Sequence, residues 1–222
     1  MKDTSRHAGE TRDRILEAAS HLFAEKGFRG ATVALICRQA KANIAAVNYH
    51  FGGKERLYQE AWRHAHRRLL EQNPPDGGVP PDRPAAERLH GRIRAGLLRA
   101  FHADGVEFRI MRAEMINPTG LLRQVMHDAI QPLRQATQSI LRELLGPGAS
   151  DFDVQLCEAC LVAPWIHISH HQQAKKHEGM APVFHEEDLD AMTEHMTAYA
   201  LAGIEAIRRR IQASGGRIHA KR

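Results

Sequence analysis

Residues 32–54, TVALICRQAKANIAAVNYHFGGK, contain two short helical patterns separated by a short break. Thr32 can cap a first helix over residues 33–40, and Asn43 can cap a second over residues 44–51. Each side chain can accept a hydrogen bond from a backbone amide that has no partner within its helix. Such helix starts attract anions, and a second short helix behind a tight turn is the geometry that places a helix in the major groove. The stretch therefore predicts a helix-turn-helix with double-stranded DNA as its partner.

The sequence on either side of this stretch also has helical spacing. Apolar residues recur at helical intervals over about 12–25, 54–71, 85–103, 106–116, 121–145, 151–173 and 186–212, with turn residues between the segments. No alternation typical of β-strands competes with them, so we predict an all-α fold of about nine helices. Residues 73–84, NPPDGGVPPDRP, preclude a continuous helix and predict a flexible loop or linker between an N-terminal head and a larger body.

The net charge of +5 is unevenly distributed along the chain. Residues 1–72 carry 13 Lys and Arg against 8 Asp and Glu, and residues 73–207 carry 12 against 18. Residues 208–222 carry 6 basic residues and no acidic ones. The positive field is thus concentrated on the predicted helix-turn-helix and on a basic tail, and the body is not expected to touch DNA.

Composition narrows the class of protein further. The first 20 residues are polar and charged, and no apolar run approaches the roughly 20 residues needed to cross a bilayer. Three cysteines are too few for a disulfide framework, as expected in a reducing cytoplasm. Because no phosphate-cradling glycine loop, nucleophile elbow or His-Glu-x-x-His is present, we expect neither an enzyme nor a cofactor. The expectation is a soluble cytoplasmic protein without a membrane partner.

The quoted stretch and its flanks resemble the N-terminal signature of the TetR (tetracycline repressor) family over about residues 11–57. The residues that carry the resemblance are Thr32, Val33, Leu35, Ile36, Ala40, Asn43, Val47, Tyr49, His50, Phe51, Lys54, Glu55 and Leu57. Residues 47–54 and the body from about 83 to 199 resemble the branch named for the regulator CecR. The resemblance implies an all-α homodimer with a three-helix DNA-binding head and a larger helical body that binds a small ligand.

The predicted domain organisation combines the helical pattern with this resemblance. Residues 1–57 form an N-terminal arm and the helix-turn-helix domain, residues 58–72 a connecting helix, and residues 73–84 the Pro/Gly-rich linker. Residues 85–212 form the ligand-binding and dimerisation domain, and residues 213–222 a disordered basic tail. The expected function is a ligand-responsive transcriptional repressor.

The second helix of the stretch offers candidate groups for DNA. Asn48 stands where the family most often has a tyrosine, and asparagine can pair with adenine through two hydrogen bonds in the major groove. Contact with phosphate and capping of the helix end are the alternatives for Asn48. Ala45 and Ala46 allow close approach to thymine methyl groups. Tyr49 and His50 can pack their rings inward and offer polar tips to phosphate, although His50 can instead bond a neighbouring carbonyl group.

Lys54 is the candidate for a direct phosphate contact. A cation in the first turn of a helix opposes the helix dipole at a cost of about 0.3–1 kcal/mol. A bound DNA phosphate would offset that cost, and the resemblance implies such a contact; the alternative is that Glu55 offsets it. Thr32 and Asn43 combine their capping role with contacts to phosphate.

The body is expected to supply dimerisation and ligand binding. A homodimer places two recognition helices about 34 Å apart and so predicts a pseudo-palindromic operator. The candidate dimer helices are the last two long segments, 151–173 and 186–212, although their apolar stripe can equally pack within its own chain. That stripe consists of Leu189, Met192, Met196, Tyr199, Ala200, Gly203 and Ile207.

A small apolar or amphipathic effector is expected to release the protein from DNA. Apolar residues of several helices can line one cavity, in which flexible Met side chains fit irregular ligands, or they can simply form the core. These residues are Phe101, Phe108, Met111, Met115, Leu122, Met126, Ile130, Trp165 and Ile168.

A sensor of metal or redox state on the same fold is the alternative. His167, His170 and His171 lie at positions i, i+3 and i+4 of one helical face, a spacing that can hold a transition metal. Against this, the cluster has no carboxylate at a matching offset. Cys157 and Cys160 form a Cys-x-x-Cys, but they lack the βαβ setting of a redox enzyme and a second pair for zinc.

Overall fold

The computed structural model describes residues 2–102, 105–178 and 184–219, and the side chains of 9–102, 105–169 and 184–213. Within these ranges the chain forms nine α-helices, one 3-10 turn and no β-strand, which confirms the all-α prediction. The helices are α1 Lys2–Gly30, α2 Val33–Ala40, α3 Ile44–Phe51, α4 Lys54–Gln72, α5 Ala85–Phe101, α6 Val106–Ile116, α7 Arg123–Leu145, α8 Asp151–Glu178 and α9 Leu189–His219, with the 3-10 turn at Glu186–Asp188. No helix in the described ranges is long and apolar enough to span a membrane.

The described residues fall into two compact units, one within Met1–Gln72 and Asp104–Ile130 and the other within Asn73–Ala103 and Gln131–Arg222. In the first unit, α1 packs against α2, α3, α4 and α6. Phe23 and Trp62 are fully buried at its centre, together with Ile110 of α6 and Leu122. These last two residues explain why α6 and the first turns of α7 join the head, whereas the sequence assigned them to the body.

α1 is longer than the segment predicted over 12–25. It is interrupted at Gly27, whose φ of 66° is close to the point where the sequence placed the helix end. The residues that follow bring Phe28 next to two aromatic rings of the first unit. The ring of Tyr58 lies 4.8 Å from that of Phe23 and 5.1 Å from that of Phe28, measured between centroids.

The second unit is built around α5, which packs against α8 and α9. Its core contains Leu89, Ile93 and Leu97 of α5, all fully buried, with Leu141 of α7 and Val154 of α8. α5 and α8 approach closely because Gly96 has no side chain: a Cβ atom at this position would lie 2.3 Å from the indole of Trp165.

The segment 73–84 differs from the flexible linker that its composition predicted. It is a loop, but it folds into successive turns and packs on α5 within the second unit. Gly77 has a φ of +66°, and a Cβ atom on it would lie 2.4 Å from the carbonyl oxygen of Gly91. A Cβ atom on Gly91 would lie 2.3 Å from the carbonyl oxygen of Asp76. Two glycines therefore let the loop lie directly on the helix.

The C-terminal helix α9 continues to His219, into the segment 213–222 for which we predicted a disordered tail. Gly215 and Gly216 weaken a helix by about 1 kcal/mol each relative to alanine, but unlike proline they keep the amide that a helical hydrogen bond needs. Residues 220–222 lie outside the described ranges.

Candidate nucleic-acid interface

The two predicted caps are present at the starts of α2 and α3. Leu35 N–H donates to Thr32 Oγ1 at 3.2 Å, and Ala46 N–H donates to Asn43 Oδ1 at 2.8 Å. Between the helices, Lys41 adopts a left-handed conformation with φ 51°, and Ala42 N–H donates to the carbonyl of Cys37 at 2.9 Å. The three residues 41–43 thus close α2 and start α3, which confirms the predicted helix-turn-helix.

One face of α3 is buried and the opposite face is open to solvent. Val47 and Phe51 belong to the core of the first unit, and they fix the helix at its middle and its end. The exposed face consists of Ala45, Asn48 and Tyr49, at the i, i+3 and i+4 spacing of one helical side. The side chain of Asn48 is therefore available to base edges, as its candidate role requires.

Tyr49 and Ala46 lie differently from the sequence expectation. Tyr49 is 82% exposed, so its ring does not pack inward; the ring meets His50 edge to face at a centroid distance of 5.0 Å. Ala46 is half-buried against the core, which turns it away from the open face formed by Ala45. Both differences follow from the rotation of α3 that burial of Val47 imposes.

Lys54 begins α4 and meets an aromatic ring that the sequence did not suggest. Its Nζ atom lies 4.4 Å from the centroid of Phe28, within the range of a cation–π interaction. Partial burial lowers the pKa of Lys54 below its ordinary value. Phe28 thus offers a third way, besides a phosphate or Glu55, to offset the cost of a cation at this helix start.

Sequence reasoning missed several exposed residues that lie next to the turn. Arg38, Gln39 and Lys41 are exposed at the end of α2, and Ile44 is 54% exposed at the start of α3. Arg38 and Lys41 were counted in the positive charge of residues 1–72, but neither was predicted to lie beside the turn. The periodicity of α2, with Ile36, Cys37 and Ala40 buried, would have indicated its solvent side.

The candidate ligand residues divide between the two units. In the first unit, Leu122 is fully buried, Met126 packs against the same core, and Met115 is 74% exposed. Phe108, Met111 and Ile130 are half-buried in that unit. In the second unit, Ile168 is buried, and Phe101 and Trp165 pack against the core.

The α9 stripe predicted for the dimer contact is divided between the core and the surface, and α8 carries an exposed stripe of its own. Leu189 is buried, and Met192, Met196, Ala200 and Ile207 pack against the core of their own unit. Tyr199 and Gly203 are instead exposed, on a neighbouring face of α9 with Ala198, Ala202 and Ala206. On α8, an exposed apolar stripe contains Phe152, Leu156, Cys160, Ala163 and Ile166.

The alternative metal and redox sites gain no support from the described residues. His167 is exposed on α8, while the side chains of His170, His171 and His177 lie outside the described ranges. Where side chains are described, no group of three His, Cys, Asp or Glu residues is placed to hold a metal ion. Cys157 is buried and Cys160 is exposed; burial raises the pKa of the Cys157 thiol, which disfavours the reactive thiolate.

The fold and this surface define the chain as a helix-turn-helix DNA-binding protein. Residues 15–61 match the sequence profile of the bacterial regulatory proteins of the tetR family. Residues 85–204 match that of the C-terminal domain of the HTH-type transcriptional dual regulator CecR. The chain therefore belongs to the TetR family of transcriptional regulators, with a C-terminal domain of the CecR type, and it is not an enzyme.

Two regulators are similar to the chain in sequence, and one solved structure is similar to it in fold. The chain is 27% identical to the HTH-type transcriptional regulator SrpR of Pseudomonas putida over 157 residues, and this match covers 70% of each chain. It is 31% identical over 130 residues to the HTH-type transcriptional regulator TtgW of the same species, covering 58% of this chain and 92% of that protein. The crystal structure of a transcriptional regulator from Rhodococcus sp. Rha1 superposes with a TM-score of 0.61 at 20% identity, over 86% of this chain and 96% of that one.

Proposed function

We propose that the protein is a cytoplasmic repressor that binds a pseudo-palindromic operator as a homodimer and is released by a small apolar or amphipathic effector. The observation that carries the DNA-binding part is the open face of α3, which presents Ala45, Asn48 and Tyr49 on a helix fixed by its buried side. A helix with its side chains is about 10–12 Å across, so α3 can enter the major groove, which is about 12 Å wide.

Direct reading of the operator falls to Asn48 and its neighbours. Asn48 pairs with adenine through its amide, and Ala45 and the exposed Ile44 meet thymine methyl groups. His50 and the hydroxyl of Tyr49 contact the DNA phosphate backbone, and such contacts position the helix without selecting a sequence. The starts of α2 and α3, behind the caps Thr32 and Asn43, point their remaining free amides at phosphate, and Lys54 does the same with its ammonium group.

Dimerisation is proposed through the exposed stripes of α8 and α9. An exposed apolar patch on a helical surface is characteristic of protein interfaces, and small residues such as Ala198 and Ala202 allow close approach of two helices. The dimer would place the two α3 helices about one turn of DNA apart, roughly 34 Å.

Release requires an effector that distinguishes the DNA-competent state from the released state. To shift a two-state protein from almost fully competent to almost fully released takes a difference in affinity of about 10⁴-fold, or about 5.5 kcal/mol. The apolar core of the second unit, with Trp165 and Ile168, is the proposed place for that ligand.

Selection of duplexes from a random DNA pool tests the sequence-specific part. We expect recovery of a pseudo-palindrome, and Asn48→Ala should relax preference at one position of each half-site by about 1–3 kcal/mol. If wild-type protein enriches no common sequence, the operator proposal fails. If Asn48→Ala instead lowers the affinity for every DNA sequence equally, Asn48 contacts the DNA backbone and not the base edges.

Sedimentation of the purified protein tests the dimer separately. Leu156→Lys places a charge within the stripe on α8 and should convert dimers into monomers at micromolar concentration. Gln135→Lys, at an exposed position of α7, is the matched control and should leave the dimer intact. Monomeric wild-type protein, or a dimer that tolerates Leu156→Lys, would contradict this interface.

A further inference from the structure

Arg92 places a positive charge inside the core of the second unit. It lies on α5 between the buried residues Gly91 and Ile93, and only 6% of it is exposed. Burial lowers the pKa of Arg92 to about 10, so the guanidinium remains charged at neutral pH. A buried charge is strongly unfavourable unless it is paired, and core arginines are rare for this reason.

The hydrogen bonds of Arg92 compensate this charge only in part. Its Nη2 atom donates to the carbonyl oxygen of Leu133 at 2.8 Å, an acceptor that it shares with the hydroxyl of Thr137 at 3.0 Å. Its Nε atom is buried and has no hydrogen-bond partner among the described residues. No carboxylate in the described part of the chain forms an ion pair with it.

The two carboxylates that attract Arg92 from a distance are occupied by other groups. Glu158 accepts hydrogen bonds from Arg134 at 2.9 and 3.0 Å and from Gln138 at 2.6 Å. Oδ1 of Asp76 accepts a hydrogen bond from the amide of Gly78 at 2.8 Å. Arg99 adds a positive charge in the same region. The guanidinium therefore keeps donor capacity for another anion.

A second unused donor belongs to a residue of α8 that packs on α5 one helical turn beyond Arg92. Gly96 is four residues, about one helical turn, beyond Arg92 and so lies on the same side of the helix. The indole of Trp165 packs against Gly96, and its Nε1 atom is buried without a hydrogen-bond partner among the described residues. Ile168, one turn further along α8, belongs to the same apolar core. A charged donor and an apolar surface thus adjoin.

We propose that the second unit binds an amphipathic anion, with the charged head group held by Arg92 and the apolar part packed against Trp165 and Ile168. This assignment specifies the chemical class of the effector and rests on the proposed ligand-responsive function. A guanidinium offers parallel donors that match the two oxygens of a carboxylate or phosphate. An apolar side chain at position 92 would suit the core better if no anion bound there.

Calorimetric titration of the full chain with three probes of equal chain length tests the proposal. The probes are decanoate, decyl phosphate and the uncharged decan-1-ol. We expect the wild-type protein to bind at least one anion more tightly than the alcohol, and the tighter anion identifies the head group. If the alcohol binds as tightly as both anions, or if none of the three binds, the proposal is overturned.

Variants at position 92 locate the preference. Arg92→Met keeps an apolar chain but removes the guanidinium, and it should weaken anion binding roughly tenfold to hundredfold while leaving alcohol binding unchanged. Arg92→Lys keeps the charge and should retain a preference for the anion. The control is Arg94→Met on the same helix, since Arg94 is more exposed and pairs with Asp190 at 3.4 Å. It should leave all three affinities unchanged.

Thermal unfolding without probe separates this role from a structural one. If Arg92 serves an anion, Arg92→Met should unfold at the same temperature as the wild type or higher. A marked loss of stability with an unchanged anion preference would show that Arg92 holds the core together instead. Operator binding is measured independently: without probe, Arg92→Met should bind selected DNA like the wild type. Absence of DNA binding in both proteins would refute the proposed function and leave the calorimetric result standing.

Discussion

The contact between Lys54 and Phe28 yields a quantitative prediction. With 4.4 Å between Nζ and the ring centroid and Lys54 partly buried, the cation–π interaction should contribute about 1 kcal/mol, between the values for exposed and desolvated pairs. Replacing Phe28 by leucine also removes packing, so a single variant would not isolate the interaction. A double-mutant cycle of Phe28→Leu and Lys54→Met does so.

Urea unfolding of the four proteins in the cycle measures the coupling. We expect the free energy of unfolding to show a coupling of about 0.5–1 kcal/mol between the two substitutions. Lys26→Met combined with Phe28→Leu is the control pair, because Lys26 pairs with Glu25 at 2.9 Å and is exposed. Those two substitutions should be additive. Additivity of the Phe28 and Lys54 substitutions within about 0.3 kcal/mol would refute the cation–π contact.

The same variants report on DNA. Lys54→Met should weaken binding to all sequences to a similar degree. It should also make the fall of log affinity with log salt less steep, by about 0.9 for each phosphate that Lys54 neutralises. Phe28→Leu keeps the charge of Lys54, so it should leave the salt dependence of binding unchanged although the ammonium group loses its cation–π contact. A salt slope unchanged in Lys54→Met would mean that this lysine does not neutralise a phosphate.

Two further substitutions, one of them with a control variant, test packing and pH dependence. Gly96→Ala should destabilise the protein by about 1–3 kcal/mol, because the new methyl group overlaps Trp165. The control Gly9→Ala, with open space around it, should be neutral or stabilising by up to about 1 kcal/mol. Thermal unfolding compares the two variants, and equal effects would contradict the close approach of α5 and α8. Burial, and to a lesser extent the charge of Glu114, raise the pKa of Tyr58, so above about pH 10 only the unfolded state ionises and stability should fall as pH rises. Tyr58→Phe should remove that part of the decline in urea unfolding between about pH 9 and 11, and an unchanged profile would disprove the linkage.

Local signals in the sequence were sufficient for the DNA-reading helices. A cap acts over three residues, so Thr32 and Asn43 identified the starts of α2 and α3 without knowledge of the rest of the fold. The turn chemistry at Gly105 and Asn117 likewise gave the bounds of α6 as Val106–Ile116. These features depend on backbone groups close in sequence, which one chain segment specifies by itself.

Features that depend on distant neighbours were not predictable. The composition of 73–84 indicates a loop, but its packing on α5 depends on Gly91, which lies outside the loop. The exposure of Tyr49 depends on how Val47 seats α3 against the core. Arg92 appeared in the sequence as one of many arginines on helical faces, and only the packing of three helices shows that it is buried. Such outcomes are set by shape complementarity across the fold.

The eight-residue length of α3 sets the amount of information that one recognition helix can read. At 1.5 Å per residue the helix is about 12 Å long, and at about 3.4 Å per base pair it faces three or four base pairs. Any given four-base-pair word recurs about once in 256 positions, so a genome with about 10⁶ competing sites contains thousands of copies. In the proposed dimer, two helices that read about eight base pairs would still leave about 15 chance matches among those sites. If the protein binds as the proposed dimer, the spacing between half-sites and the deformability of the DNA between them would therefore supply the remaining specificity.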